Sequence, residues 1–151
     1  MDYRCEIRWS YLMSDNLTPE QRSYTMSRIR SRNTKPELTV RKLAHSRGLR
    51  FRIHQRQLPG CPDMTFSQAR VAVFIDGDFW HGWRFPRWRA KLSPYWEAKI
   101  DGNRRRDRSN FRRLRYRGWF VIRLWEHEVE GDPKSCVDQI ERAIHRTGGP
   151  M

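Results

Sequence analysis

The sequence predicts an α/β sandwich with a mixed central sheet. Three observations predict it. Element signals run in the order α, α, β, β, β, α, β, α, a pattern that packs helices onto a sheet. Two segments, RVAVFID and WFVIRLW, are strong strands, and RVAVFID is β-branched and apolar on both faces, as a central strand is. The chain then closes on PKSCVDQIERAIHR, an amphipathic helix with Cys136, Ile140 and Ile144 four apart. At 151 residues one domain is expected over 18–146, with a flexible arm at 1–17 and a short tail at 147–151.

Residues 1–13, MDYRCEIRWSYLM, have no clean period and read as a loose arm. Thr18-Pro19-Glu20 starts a helix, with Thr18 as N-cap and Pro19 in the first turn. The basic helix that follows, QRSYTMSRIRSR, is expected to reach about residue 32, with Met26 and Ile29 on one face. Thr34 to Glu37 repeats the start signal, Glu37 serving as capping-box partner. The second helix carries Leu38, Val40, Leu43 and Ala44 and ends at Gly48. RFRIH is strand-like. Pro59, Gly60 and Pro62 then break regular structure and deliver Asp63. MTFS begins a strand and RVAVFID follows. GDFWHGWRFPRWRAKLSP is a long, Trp-rich, basic connection. YWEAKIDGNRRRDRSNFRRLRYRG reads as one helix with Trp96, Ile100, Phe111 and Leu114 as apolar contacts, weakened near its start by Gly102.

The net charge is +14, and arginine far outnumbers lysine. A surface so positive repels itself unless a polyanion meets it, and guanidinium suits bidentate contact with phosphate or guanine. Aromatic residues make up 13% of the chain, and interleaved with arginine they suit a nucleic-acid groove. No apolar run is long enough for a membrane span and no signal peptide opens the chain, so a membrane partner is not expected. Cys5, Cys61 and Cys136 are too few and too scattered for a disulfide framework or a zinc knuckle. A cytoplasmic protein with reduced thiols is the simple reading.

Asp63, Asp76 and Asp107 are the carboxylates to watch. Phosphodiester hydrolysis needs charge neutralised at phosphorus and an activated water, and Mg²⁺ held by carboxylates supplies both. A hairpin between Asp63 and Asp76 would bring them together. His81, five residues after Asp76, can take a proton from water or give one to a leaving oxygen. Plainer roles stay open: Asp63 and Asp76 as turn residues, Asp107 paired with Arg104 or Arg106 on a solvated helix face, His81 as a structural histidine.

The ordered strings RSYTMSRIRSRNTKPE, LPGCPD, VFIDGDFWHG, YWEAKI, RRRDRSNFRRLRYRGW and VIRLWEHEV resemble the very short patch repair (Vsr) endonucleases over about residues 18–145. These are relatives of type II restriction enzymes that nick DNA beside a T:G mismatch. The resemblance implies a restriction-endonuclease-like three-layer sandwich with a mixed central β-sheet flanked by helices. It implies Mg²⁺ as cofactor, water attack at the phosphorus 5′ to the mismatched T, and 3′-hydroxyl and 5′-phosphate ends.

By position, the resemblance makes Asp63 the central Mg²⁺-binding aspartate and the Ile75 backbone carbonyl a second metal contact. Asp76 falls where members carry a catalytic-region His or Asp. His81 matches a general base or phosphate-assisting group, and Asp107 a carboxylate orienting that histidine or a water. Glu37 matches an acidic residue in the first core helix of the wider nuclease superfamily. Phe79, Trp80 and Trp96 match aromatics that wedge into DNA beside the mismatch, which a mismatched pair makes cheaper. Arg104, Arg105 and Arg106, with Arg112, Arg113, Arg115 and Arg117, are expected to grip phosphates.

Many relatives hold a structural Zn²⁺ near this loop with Cys and His. Here the matching positions read Asp78, Trp83, Phe85 and His127, without a cysteine, so structural Zn²⁺ is expected to be absent and Trp83, Phe85 and Trp88 to pack in its place. A monomer on double-stranded DNA is expected, with mismatch-repair proteins as candidate partners. Two alternatives stand: a restriction-like or defence nuclease without mismatch specificity, and a non-catalytic DNA-binding module.

Overall fold

The computed structural model describes residues 17–29 and 31–148. The arm expected at 1–17 and the tail at 147–151 lie outside those residues, except for Leu17, Thr147 and Gly148. Strands β1 (Arg52–Ile53), β2 (Met64–Phe66), β3 (Val71–Asp76) and β4 (Phe120–Trp125) form one sheet in that spatial order. β1 and β2, and β2 and β3, pair antiparallel. β3 and β4 pair parallel, in register from Val71 against Phe120 to Asp76 against Trp125. The sheet is therefore mixed, and β3 is central, with all six of its residues buried.

The helices are α1 (Pro19–Arg28), α2 (Lys35–Ser46), α3 (Phe85–Trp88), α4 (Pro94–Tyr116), α5 (Glu126–Gly131) and α6 (Pro133–Arg146), with a 3₁₀ turn at Arg89–Lys91. Strand side chains alternate between faces. Val71, Val73, Ile75, Ile122 and Leu124 face α2, α5 and α6, meeting Val40, Ala44, Val129, Val137, Ile140 and Ile144 in the main core. Ala72 and Phe74 face α4 and pack on Phe111 and Leu114, with Val121 and Trp119 beside them. Three layers result. The same alternation turns Asp76 and Arg123 toward α4, and this puts charge between sheet and helix at the carboxyl end of β3.

A third apolar cluster lies off the sheet. Phe79, Phe85, Trp88, Leu92, Trp96 and Ile100 bury one another, with Met26 and Trp80 against them. Each such side chain taken from water contributes about 1.5–3 kcal/mol. The cluster lets the Trp-rich connection fold back on the first turns of α4. There Ser93 caps the helix by accepting from the Trp96 N–H, and Pro94 occupies the first turn.

Several expectations change in detail. α1 stops at Arg28, and Ile29 is its C-cap in extended conformation, so the helix is shorter than the 32 expected. Thr18 does cap it, in a reciprocal box with Gln21. Leu38 is 43% exposed; the buried face of α2 is Pro36, Glu37, Val40 and Ala44. The strand expected at RFRIH shrinks to two exposed edge residues. The connection contains α3, and α5 precedes the final helix. α4 runs unbroken past Gly102 and buries the four residues its period singles out, Trp96, Ile100, Phe111 and Leu114. No helix among the described residues is long and apolar enough to cross a membrane.

Candidate active site

The turn around Pro59-Gly60-Cys61-Pro62 sets Asp63 one residue before β2. Its backbone N–H donates to the Val73 carbonyl (3.0 Å) and its Oδ2 accepts from the Ile75 N–H (2.7 Å). The side chain thus extends the β2–β3 pairing past the end of the strand. A strand residue's N–H and C=O leave the same edge, so the Ile75 carbonyl lies on the Asp63 side. Glu37, only 2% exposed, enters from α2. Its Oε2 accepts from Arg41 Nη2 (2.7 Å) and the Asn33 N–H (3.0 Å), and His54 Nε2 lies 3.3 Å away. The return bond of the expected capping box therefore reaches Asn33 rather than Thr34, while Thr34 Oγ1 accepts from the Glu37 N–H. One carboxylate serves both helix start and site.

Glu37, His54 and Asp63 offer ligand atoms within 4.8 Å of one another. Burial pushes the Asp63 carboxyl up to about 7; the Ile75 N–H and, through space, Arg41 oppose this, and Glu37 and Asp76 add repulsion. Among the described residues Asp63 has no ion-pair partner, whereas Glu37 has Arg41.

Asp76, His81 and Asp107 make a second group, also within 4.8 Å. His81 Nδ1 lies 2.8 Å from Asp107 Oδ2, and Nε2 lies 3.4 Å from Asp76 Oδ1. Arg123 closes the ring, donating from Nε to Asp76 Oδ2 (2.8 Å) and from Nη2 to Asp107 Oδ2 (2.7 Å). Asp107 thus pairs with His81 and Arg123, not with Arg104 or Arg106. Burial raises the Asp76 carboxyl against the pull of His81 and Arg123. For His81, burial favours the neutral ring, but the Asp107 hydrogen bond and the Asp76 and Asp107 charges outweigh it, and the imidazole is raised. Gly82 fixes the loop after His81: its φ is +70°, and a Cβ there would stand 2.6 Å from Arg104 Cδ.

The aromatics divide. Phe79 (5% exposed) and Trp96 (2%) are interior members of the third cluster. Trp80 is half-buried at the cluster's edge, edge-on to both, with its carbonyl held by Asn103 Nδ2 (2.8 Å). Arg104 lies over Phe85, Arg105 pairs with Asp101, and Arg106 donates to Asn103.

The donor set suits Mg²⁺ at Asp63. Mg²⁺ takes oxygens and keeps several waters, and here a half-buried carboxylate without a bonded cation stands beside a backbone carbonyl. The positions matched to a zinc site do not suit zinc. Asp78 and His127 bond each other (2.7 Å), Trp83 lies tilted against His127 (4.4 Å between rings), and Trp83 and Phe85 carry no ligand atom. Trp88 Nε1 donates to the Trp83 carbonyl (2.8 Å), tying the loop together.

The fold therefore brings Glu37 to Asp63 and Asp76 to His81 and Asp107, as two adjoining groups rather than one. Sequence reasoning passed over His54, Arg41 and Arg123. Arg123 had a signal: a lone charge inside an apolar strand must find a partner. His54 had none, since its place depends on a left-handed residue (φ 47°) after a two-residue strand.

Comparison with known proteins gives a consistent picture. A family model described as DNA mismatch endonuclease Vsr matches residues 14–87. A type II nicking enzyme of Xanthomonas oryzae pv. oryzae is 44% identical over 119 residues, covering 78% of this chain and 88% of that protein. One of Neisseria meningitidis serogroup C is 38% identical over 138 residues, covering 89% and 93%. The DNA mismatch endonuclease Vsr of Escherichia coli is 34% identical over 127 residues, covering 81% and 80%.

Proposed function

This chain belongs to the Vsr family of DNA mismatch endonucleases, and we propose that it nicks double-stranded DNA on the 5′ side of the T in a T:G mismatch, using Mg²⁺. The observation that carries this reading is His81 held between Asp76 and Asp107 next to the half-buried Asp63, which has no ion-pair partner among the described residues. A surface evolved only to bind DNA gains nothing from carboxylates facing phosphates.

Asp63 and the Ile75 carbonyl would hold the ion. Bound there, Mg²⁺ would offset charge on the phosphate and favour ionisation of the attacking water. The chain's own groups do the rest. Water adds at phosphorus, the bond to the 3′-oxygen breaks, and the water's proton leaves to solvent. Asp107 fixes the imidazole through Nδ1, and Nε2, whose contact with Asp76 Oδ1 is the longer one (3.4 Å), gives its proton to the departing 3′-oxygen. The raised His81 suits this acid role better than that of a base. Glu37 holds Arg41 and His54 around Asp63 rather than reacting.

Trp80, at the rim with Phe79 and Trp96 packed beneath it, is the aromatic that would meet an unstacked base. Arg104, Arg105 and Arg106, one to three residues before Asp107, supply phosphate contacts near the scissile bond. The protein works as a monomer in the cytoplasm, with mismatch-repair proteins acting on the nicked product.

Strand-labelled duplexes carrying T:G, other mismatches or none, incubated with Mg²⁺ and the parent or Asp63→Ala, test the proposal. Nicking confined to T:G and lost in Asp63→Ala is the expected result. Asp63-dependent cutting of paired DNA would replace the mismatch reading with a restriction-like one. Tight binding without cutting would leave a DNA-binding module.

A further inference from the structure

We propose that Arg123 is the resident cation of the Asp76–His81–Asp107 group, closing it to divalent metal and confining the ion to Asp63. By residue type this group is as good a metal site as the one at Asp63. Its charges say otherwise. Arg123 sits opposite Phe74 in the parallel β3–β4 register and points toward α4. Its guanidinium lies over the Trp125 ring (4.2 Å) and the Phe111 ring (5.2 Å). From there one fork spans two carboxylates of different elements, Asp76 on β3 and Asp107 on α4.

His81 spans the same pair from the loop side, so both Asp76 oxygens and Asp107 Oδ2 are already engaged. Two carboxylates thus face one permanent cation and one raised imidazole. A divalent ion entering here would meet two like charges where water screens poorly. It would have to expel a guanidinium that cannot lose its proton and that two aromatic rings hold in place. Asp63 differs: Arg41 is bonded to Glu37 and acts on Asp63 only through space, while the Asp63 oxygen accepts a backbone N–H and has no ion-pair partner among the described residues. Arg123 is accordingly a positioning residue. It fixes both carboxylates that orient His81, and it does so without a second ion.

This inference rests on the cation reading of Asp63, and one measurement separates the two. Mn²⁺ bound by the DNA-free protein is counted by electron paramagnetic resonance for the parent, Asp63→Ala, Arg123→Lys, Arg123→Gln and the double variant Arg123→Gln/Asp107→Asn. One ion is expected in the parent and in Arg123→Lys, and none in Asp63→Ala. A second is expected in Arg123→Gln, absent again in the double variant. Two ions in the parent, or an ion that survives Asp63→Ala, would overturn the inference while leaving metal binding intact. No ion in the parent would instead remove the Asp63 reading. The comparison of parent with Asp63→Ala holds even where Arg123→Gln does not fold.

Discussion

At Asp63 a proton and a divalent cation compete for one carboxylate. Its ordinary value of 3.8 is pushed to about 7, mainly by burial. Between those values the folded protein binds more protons than the unfolded chain, so stability falls as pH rises through that window. Asp76, also raised, adds the same sign, and so does His81, whose contribution is present at low pH and disappears as its folded value is passed. In the metal-free protein these three groups therefore favour mild acid over neutral pH. Asp63→Asn keeps an acceptor for the Ile75 N–H and removes the half-buried charge. Thermal unfolding in a chelator should show it more stable than the parent at pH 8 by about 2–4 kcal/mol, or roughly 5–10 °C, and indistinguishable near pH 4. A lower melting temperature at pH 8 would mean the carboxylate is already compensated.

Among the elements, the connection between β3 and α4 carries the recognition problem. Trp96 is core and Trp80 is rim, so their removal should read out differently. Trp96→Ala should lower stability by about 3–5 kcal/mol. Trp80→Ala should lower stability far less and reduce nicking of T:G duplexes about tenfold or more. Equal stability losses, or an active Trp80→Ala, would show that the rim ring does not meet DNA. These elements also mark how much the sequence could say. RVAVFID, the apolar face of α4 and the final helix were legible because period and β-branching act locally. Asp63, His81 and Asp107 were singled out by residue type and by likeness to a family, and the fold brings His81 to Asp107. Burial of Phe79 was not, because a cluster of six apolar side chains closes only when the loop, the 3₁₀ turn and α4 meet. His54 and Arg41 were not, because their partners are set by tertiary contact.

On the scale of the whole molecule, the question is which of the many arginines meet DNA. α4 is 23 residues long, about 35 Å at 1.5 Å per residue. It runs antiparallel to β4: Asn103 meets Trp80 and Asp107 meets Arg123 near the site, while Leu114 packs with Ala72 and Trp119 toward the other end of the sheet. Arg105 and Arg106 therefore flank the nicking chemistry, and Arg115 and Arg117 lie at the opposite pole. A duplex laid across the site is expected to reach the first pair and not the second. Removing one arginine that neutralises a phosphate should lower the slope of log affinity against log salt by about 0.9. Arg105→Gln/Arg106→Gln should reduce that slope by about 1–2, and Arg115→Gln/Arg117→Gln should leave it within experimental scatter. The second substitution removes the same charge, so a purely global field would shift both variants alike. Binding titrations from low to moderate salt decide between the two: an equal drop would assign the +14 charge to steering, and an unequal one would place the duplex along the amino-terminal half of α4.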